Sequence, residues 1–383
     1  MNTVERFRAQ MHYQRRDRSV IWDFNFWRQT IDVWHEQGLP RSVQHHYTGS
    51  MGTDAFFGID PTCQWLARPG LLPHFEEKVL EDRGDQELAQ QHDGVQVVRA
   101  KHIAAIPHHE KHLLVDRASW RKHYKPRLDP DHPDRVGADT AKQIEQLRAK
   151  GHVVVFSAGS LFGWLRDWMG MENIAMTVYD DPAWFEEMVT TIADCVVGCL
   201  ERSLEAGATF DGAAFWEDMC YNAGPLLGPQ HFKRYLVPQY RRITDVLLAH
   251  GVDVIWVDCD GCIDQLLPLW LEAGVNCMFP VEIGTWQADP VKYRKQYGKQ
   301  LLMMGGFDKR ILARTKDQIE AEIVRLTPLV EEGGFIGFCD HRVPPDVPLA
   351  NYCFYMVKVR QLWGKDTDLP AIDPVVAKWA AKA

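Results

Sequence analysis

The feature that most constrains the fold is a series of short apolar runs that alternate with helical segments. Each run is rich in β-branched and aromatic residues and is mostly continuous rather than alternating, which is typical of strands buried on both faces. Such runs, separated by helices, indicate parallel βα units. Seven are predicted strands: SVIWDF (19–24), VVVFSAG (153–159), DGAAFWED (211–218), VDVIWVDCD (252–260), VNCMFPVE (275–282), LLMMGGFD (301–308) and FIGFCDH (335–341).

Helix signals lie between these runs. Asp181 and Pro182 predict the start of a helix that ends at Gly207, and a second helical block ends at Gly251. A third helix is expected after Thr315, where Gln318 completes a capping box. This order predicts an α/β fold of the (β/α)8 TIM-type barrel class, although the sequence does not reveal an eighth strand.

The region 40–150 breaks the βα rhythm. It holds GVQVVRAKH, a histidine-rich HHEKH (108–112) and a proline-rich KPRLDPDHP in place of repeating units. We interpret it as an inserted cap or irregular region that contains a β-hairpin, within a single barrel domain over 1–383. HHEKH departs from H-E-x-x-H and follows Pro107, so a solvated surface loop is favoured over a metal site.

Composition narrows the class of partner. The net charge of -9 and the pI near 6.0 offer no basic surface for a nucleic acid. No apolar run is long enough for a membrane span or resembles a signal peptide, and the nine cysteines are an odd, scattered set typical of reduced thiols. We expect a cytoplasmic protein that acts on a small-molecule substrate.

Polar residues follow the apolar part of almost every predicted strand. In a barrel, the carboxyl ends of the parallel strands meet on the face that carries the chemistry. Any one of these residues could equally cap the next helix, but the recurrence favours a site. The strand-end residues are Asp23, Asn25, Ser157, Ser160, Glu217, Asp218, Asp258, Asp260, Glu282, Asp308, Asp340 and His341.

Strand parity singles out VDCDG (257–261). Alternate residues of a strand face opposite sides, so Asp258 and Asp260 are expected on one side and Cys259 on the other. Two such carboxylates bind a cation, or one of them is held protonated as a general acid. His341 would add a third ligand or a proton shuttle. Asp258, Asp260 and His341 are the predicted metal ligands, and with Glu217 the predicted catalytic residues.

Two further patterns are weaker. CDGC (259–262) is a C-x-x-C, but no second pair exists and Cys259 is predicted to face away from the carboxylates, so a redox or zinc role is disfavoured. Tryptophans cluster near predicted strand ends, where they either pack in the core or line an aromatic pocket. These are Trp22, Trp27, Trp164, Trp168 and Trp216.

The chain resembles the uroporphyrinogen decarboxylase superfamily, over roughly 150–363. This superfamily includes corrinoid-linked methyltransferases, which move a methyl group from methylcobalamin to a thiol or folate. The resemblance implies a (β/α)8 barrel with its site at the carboxyl ends of the strands. It is carried, in this order, by GSLFGWLRDWMG, FWEDMCYNAGPLLGPQHFKRYLVPQY, VDCDGCIDQLLPLWLEAGVNCMFPVE, LLMMGGFDKR and GGFIGFCDHRVPPDVPLANY.

Two departures from the family pattern bear on the reaction. The decarboxylases carry R-Q-A-G-R, whose arginines hold substrate carboxylates, whereas this chain reads RQTID (28–32) and lacks the second arginine. The thiol-methylating relatives carry H-x-C and a later cysteine, which bind zinc. This chain has Asp258, Asp260 and His341 at the matching positions, an oxygen-rich set that leaves zinc open but disfavours a bound thiolate.

Three functions remain open at this point. The first is a methyltransferase that uses a corrinoid as methyl carrier, either methylcobalamin or a corrinoid protein. The second is a cofactor-free decarboxylase or lyase, in which Asp260 or His341 protonates a carbanion. The third is a scaffold that only binds. Family habit suggests a homodimer. The predicted substrate-binding residues are Asn25, Arg28, Arg166, Glu282, Asp308 and Arg342.

Overall fold

The computed structural model describes residues 1–44, 56–102, 107–365 and 373–381. The chain divides into two compact units. The first unit comprises Met1–Gln64, Gln146–Val154 and Asn276–Ala383, and the second unit comprises Trp65–Glu145 and Val155–Val275. The single domain expected over 1–383 stays a prediction.

The strands fall into a parallel set and an antiparallel set. The bounds, in chain order, are β1 Gln64–Leu66, β2 Lys78–Arg83, β3 Gln86–Gln90, β4 Gln96–Ala100, β5 His108–Lys111, β6 Val154–Ser157, β7 Gly212–Trp216, β8 Cys220–Tyr221, β9 Gly224–Pro225, β10 Ile255–Asp258, β11 Cys277–Val281, β12 Leu302–Phe307 and β13 Phe335–Cys339.

The α-helices lie before, between and after the strands, and π-helical turns at Trp120–Tyr124 and Phe232–Leu236 adjoin three of them. Their bounds are α1 Thr3–Met11, α2 Arg28–Glu36, α3 Arg117–Ser119, α4 Thr140–Ala149, α5 Gly163–Met169, α6 Met171–Asp180, α7 Pro182–Glu205, α8 Pro229–His231, α9 Val237–Ala249, α10 Leu267–Glu272, α11 Ile283–Trp286, α12 Pro290–Tyr297, α13 Lys316–Glu332, α14 Leu349–Leu362 and α15 Pro374–Ala381.

Parallel βα units form the core of each unit. In the second unit, β7 pairs in parallel with β6 and β10, and in the first unit β12 pairs in parallel with β11 and β13. All residues of β12 and β13 are buried, as the continuous apolar runs predicted. This order of strands and helices is that of the (β/α)8 TIM-type class, and the predicted fold class is confirmed.

Capping residues set the ends of the long helices where the sequence predicted them. The Asp181 side chain accepts a hydrogen bond from the N–H of Trp184 at the start of α7, and the chain leaves this helix at Gly207 with a φ of 81°. Thr315 and Gln318 form the predicted capping box of α13. Local sequence thus fixes these boundaries.

One predicted strand is wrong. Residues 19–24 form no strand, and a single parallel bridge joins Phe26 to Val343. Asp23 and Asn25 accept hydrogen bonds from the N–H of the residue that follows each, and Asn25 has a φ of 121°. These local bonds satisfy the backbone in place of a sheet ladder, so β propensity is overridden.

The predicted insertion contains more sheet than a hairpin. Strands β2 to β5 form a four-stranded antiparallel sheet in the second unit. HHEKH, expected in a loop, supplies β5, because its backbone pairs with β4. Residues 45–55 and 103–106 of the predicted insertion lie outside the described residues.

Among the residues described, no helix combines the length and the apolar character that a bilayer crossing requires.

Candidate active site

Three carboxylates come together in the second unit after β7 and β10. Asp218 follows β7, Asp258 ends β10, and Asp260 lies two residues further along. One oxygen of each carboxylate lies within 4.8 Å of the other two, and all three side chains are half-buried. We call Asp218, Asp258 and Asp260 the carboxylate trio. It unites the two aspartates that strand parity assigned to one side.

A sharp backbone turn brings Asp218 into the trio. Asp218 has a φ of 40°, in the left-handed region, and its Oδ1 accepts a hydrogen bond from Asp260 N at 3.3 Å. Glu217 N donates to Asp258 O at 2.8 Å, which extends the pairing of β7 and β10. Such a conformation costs a non-glycine residue about 1 to 3 kcal/mol and is concentrated at functional sites.

The trio retains a proton more readily than ordinary carboxylates do. Burial raises the pKa of Asp218 to about 6, and the negative charge of Asp260 adds to this effect, while Arg166 opposes it. Carboxylates that crowd a half-buried site disfavour full ionisation. The trio is therefore suited to hold a proton near neutral pH or, when ionised, to attract a cation.

Arg166, a predicted substrate-binding residue, reaches the trio from α5. Its Nη1 donates to the backbone O of Asp218, and its Nε and Nη2 lie 3.2 and 3.1 Å from Asp167 Oδ1. The guanidinium also lies 5.4 Å from the ring centroid of Trp216. Arg166 thus links α5 to the end of β7, and its role towards a substrate stays a prediction.

Glu217 has the contacts of a structural carboxylate. Its side chain is fully buried. Its two oxygens accept five hydrogen bonds of 2.5 to 3.0 Å, from Ser160 Oγ, the N–H groups of Leu161, Phe162 and Gly163, and Tyr240 Oη. These bonds fix the loop before α5. The catalytic role predicted for Glu217 stays a prediction.

The strand-end pattern includes both Glu217 and Asp218, but of these two only Glu217 is a predicted catalytic residue. Consecutive residues after a strand point in different directions, and sequence alone does not say which one turns into the site. The left-handed turn at Asp218 decides this. The signal that was available is the pair of adjacent carboxylates after a strand.

In the first unit, His341 and Arg342 follow β13 and pack on aromatic rings. The His341 ring stacks on Phe24, with centroids 4.8 Å apart, and lies 6.2 Å from the ring of Trp27. The guanidinium of Arg342 lies over the same two rings, at 6.0 and 5.5 Å. The predicted approach of His341 to Asp258 and Asp260, which belong to the second unit, stays a prediction.

Asp23, a titratable group of the first unit, is not among the predicted catalytic or substrate-binding residues. Tyr352 Oη donates to its Oδ2 at 2.5 Å, and Phe24 N donates to its Oδ1 at 2.8 Å. Burial nevertheless raises the pKa of Asp23 to about 6. Asp23 adjoins Phe24, whose ring stacks on His341, so a second proton-holding group lies near His341.

The carboxylates that follow β11 and β12 are bound by neighbouring groups. Glu282 Oε1 accepts from Thr285 Oγ1 at 2.9 Å, and Asp308 forms a two-pronged ion pair with Arg310. Both residues are buried, and their predicted substrate contacts stay predictions.

Asp340, buried beside β13, is held by backbone groups. It accepts hydrogen bonds from the N–H groups of Ile283, Gly284 and Lys309 at 2.8 to 3.1 Å. Lys309 Nζ lies 3.9 Å from Asp340 and 4.0 Å from Glu282. This ammonium compensates part of the negative charge at that point.

Asn25 and Arg28, also predicted to bind substrate, differ in exposure. Asn25 is buried, and its backbone O accepts from Val343 N at 2.9 Å. Arg28 begins α2 and is exposed. Arg28 is therefore accessible to a ligand, whereas the contacts of Asn25 hold the local chain.

The trio does not fit the thiolate-bearing zinc centre of the thiol-methylating relatives. Its donors are all oxygen, which suits a hard cation better than zinc bound to sulfur. Cys259 is buried, and burial together with Cys220 raises the pKa of its thiol well above the usual range. The exclusion of Cys259 from the candidate ligands stays a prediction.

Parallel βα units with titratable side chains after their strands define an enzyme of the TIM-barrel class. The uroporphyrinogen decarboxylase (URO-D) family matches residues 102–362, and the chain belongs to this family. The match spans well over half of the chain and includes both the trio and His341. The expected superfamily is confirmed.

Curated relatives in this family are distant. The uroporphyrinogen decarboxylase of Chlorobaculum tepidum is 20% identical over 269 residues, which cover 67% of this chain and 71% of the relative. That of Syntrophotalea carbinolica is 27% identical over 194 residues, 48% of this chain and 51% of the relative. At this distance the family is assigned and the reaction is not.

A solved structure described as a methyltransferase from Methanosarcina mazei shares the fold. It superposes with a TM-score of 0.57 and 12% sequence identity, and the match covers 96% of this chain and 99% of that one. At this identity the match shows a shared fold.

Proposed function

We propose that this protein is a methyltransferase of the URO-D superfamily that exchanges a methyl group between a corrinoid and a small acceptor. The corrinoid is methylcobalamin or the group of a separate corrinoid protein. The observation that carries the proposal is the carboxylate trio, a proton-holding, cation-attracting site where a polyanionic porphyrinogen would meet repulsion. The fold shared with a solved methyltransferase supports it.

The corrinoid would supply a cobalt centre that accepts or donates a methyl group. The chain's own residues would bind the small partner and manage its proton. Asp218, with a pKa raised to about 6, is suited to take a proton from an acceptor or return one to a leaving group near neutral pH. Arg166 would position the trio through its bond to the backbone of Asp218.

The absence of the second arginine from the N-terminal segment also argues against a polyanionic porphyrinogen as substrate. In the decarboxylases two arginines hold substrate carboxylates, and here Arg28 is followed four residues later by Asp32, which is exposed. A carboxylate-rich substrate would lose one charged contact and gain a repulsive one.

The test is spectroscopic. Purified protein is mixed with methylcobalamin and candidate acceptors, or with the reduced corrinoid and candidate methyl donors, and the corrinoid absorption is followed. We expect turnover that falls at least 100-fold in Asp218→Asn and Asp260→Asn, in line with loss of acid–base catalysis. Absence of any spectral change across thiols, folates and methylated amines would contradict the proposal.

Asp23 favours a second candidate, a cofactor-free decarboxylase or lyase. Its raised pKa and its place beside Phe24, under His341, suit it to protonate a carbanion, while Arg342 would hold a substrate carboxylate. This reading predicts release of carbon dioxide from a small carboxylic acid without corrinoid. Tyr352→Phe would then move the alkaline limb of the pH profile to higher pH, because the Tyr352 hydroxyl lowers the pKa of Asp23 and the acid must be protonated to act. An unmoved alkaline limb would argue against Asp23 as the acid.

A further inference from the structure

A cavity of about 310 Å³ lies in the second unit beside α5 and the end of β7. Its volume is at the lower end of the range for small-molecule sites. Three of its walls are indole rings and two are carboxylates. The residues that matter here are Trp164, Trp168, Trp216, Asp93, Asp167 and His109. We call this space the tryptophan cavity.

The indole walls are held in place by the local sequence. Trp164 and Trp168, one turn apart on α5, stack with centroids 5.8 Å apart and planes at 18°. Gly159 makes room for Trp164, since a Cβ there would lie 2.3 Å from the indole. Arg166 already lies over the face of Trp216, at 5.4 Å from its centroid. One indole of the cavity therefore already contacts a cation through its π face.

The charges in the walls favour cations over anions. Asp93 and Asp167 both line the cavity and are half-buried. Burial raises the pKa of Asp167, while Arg166 and His109 lower it and Asp93 adds to the rise. Burial lowers the pKa of His74, another wall residue, which favours its neutral form. Arg166 pairs with Asp167, and Asp93 places a second carboxylate in the wall.

Indole faces together with carboxylates form the usual binding site for quaternary ammonium groups. We propose that the tryptophan cavity binds a small methylated ammonium compound of the choline type. This inference rests on the proposed function and deepens it, because it names the chemical class of the small partner in the methyl exchange. A carboxylate ligand is disfavoured by Asp93 and Asp167.

The cavity is connected to the carboxylate trio by direct contacts. Arg166 binds Asp167 in the cavity wall and the backbone O of Asp218 in the trio. Trp216 lies two residues before Asp218 at the end of β7. Arg166 and Trp216 therefore join the cavity wall to the trio.

The chemistry balances with the reduced corrinoid as co-reactant. The reduced corrinoid, when bound, would supply the electron pair that accepts the methyl group, and the electron pair of the broken C–N bond would stay on nitrogen. The neutral tertiary amine would then take up one proton from the solvent.

The binding test compares choline with 3,3-dimethylbutan-1-ol, in which carbon replaces the charged nitrogen at nearly the same shape. Titrations are followed by tryptophan fluorescence and calorimetry at pH 7.5. We expect choline to bind at least about tenfold more tightly than the neutral alcohol, the size of a desolvated cation–π contact. Equal affinity, or no binding of choline, would overturn the inference.

Variants assign the binding to the cavity. Asp167→Asn and Asp93→Asn remove charge with little change of shape, and each is expected to weaken choline binding about tenfold without affecting the alcohol. Asp131→Asn, at an exposed aspartate of the same unit, is the matched control and should leave both affinities unchanged. Circular dichroism and thermal melting check that each variant is folded. Undiminished binding in both cavity variants would overturn the assignment.

Methyl transfer separates this inference from the proposed function. Choline binding without transfer to the reduced corrinoid would leave the ligand class standing and contradict the methyltransferase. Transfer from or to another compound, with no binding of choline, would support the methyltransferase and overturn the ligand class. Transfer from choline that is lost in Asp167→Asn would support both.

Discussion

At the scale of single residues, the trio shows how a protein changes the chemistry of ordinary aspartates. Asp218, Asp258 and Asp260 are half-buried and lie close enough together that ionisation of one opposes that of the next. Burial, together with the charge of Asp260, raises the pKa of Asp218 from 3.8 to about 6. An ionised Asp218 in this half-buried position therefore destabilises the folded protein, and this destabilisation can be measured.

Asp218→Asn is expected to stabilise the protein at pH 8 more than at pH 4. The pKa of Asp218 is higher in the folded state, so protonation stabilises that state at low pH, and this contribution is lost as the pH rises through about 6. Asparagine does not ionise. The difference in unfolding free energy between variant and wild type should grow by about 2 kcal/mol from pH 4 to pH 8.

Urea denaturation at the two pH values provides the measurement, with Asp131→Asn as the control that should show no such growth. An equal difference at both pH values would contradict the raised pKa of Asp218.

Glu217→Gln is expected to lower the free energy of unfolding by about 2 to 4 kcal/mol. The amide replaces one acceptor oxygen by a donor that would face the Phe162 and Gly163 N–H groups or Leu161 N–H, and a buried donor without an acceptor is costly. The measurement is the urea midpoint at constant m value. Ser160→Ala, which removes one of the five bonds, should cost about 1 kcal/mol. A Glu217→Gln variant whose free energy of unfolding equals that of the wild type would refute the structural role.

At the scale of elements, local sequence predicted the starts of the helices better than it predicted the strands near the N-terminus of the chain. Asp181, Thr315 and Gln318 begin helices where their side chains can cap, and these starts depend only on neighbours in sequence. Residues 19–24 have the composition of a strand, yet the bonds of Asp23 and Asn25 to adjacent N–H groups prevent a ladder. No periodic signal marks β1, which spans only Gln64–Leu66.

Thr315→Ala is expected to cost about 1 kcal/mol, because the Thr315 hydroxyl accepts the Gln318 N–H that α13 leaves without a helical partner. Thr315→Ser keeps the hydroxyl and should lower the free energy of unfolding by only a few tenths of the amount lost in Thr315→Ala. Thermal and urea unfolding of the two variants provide the comparison. Equal losses would mean that the methyl group of Thr315, and not its cap, stabilises the helix.

Glycines in β12 illustrate a feature that sequence could only suggest. A Cβ at Gly305 would lie 3.1 Å from the Cβ of Pro280. Because Gly305 has no side chain, β12 can approach β11 closely at this point. Gly305, the first of the paired glycines of GGFDKR (305–310), therefore serves packing between strands.

At the scale of the whole molecule, composition predicted reduced thiols, and the nine cysteines are all free in the structure. Seven of them are buried, whereas Cys63 and Cys262 are partly exposed. Burial protects a thiol from modification and raises its pKa, as it does for Cys277 and Cys339.

Titration with a thiol reagent should therefore modify about two thiols in the native protein and all nine in denaturant, with the Cys262→Ser variant losing one of the two. Rapid reaction of most thiols in the native state would contradict the burial of these cysteines. Added reductant is expected to leave the melting temperature unchanged.

Sequence by itself determined the fold class and the family, and it predicted where the candidate site lies. Apolar runs, caps and strand-end carboxylates depend on neighbours one to four residues apart, and such patterns can be read along the chain. Tertiary structure alone decided that Asp218 joins Asp258 and Asp260, that Glu217 is tied to the loop before α5, and that three tryptophans enclose a cavity with Asp93 and Asp167. These outcomes depend on backbone turns and on packing between segments distant in sequence, because burial and proximity, not residue identity, set the pKa and the contacts of a side chain.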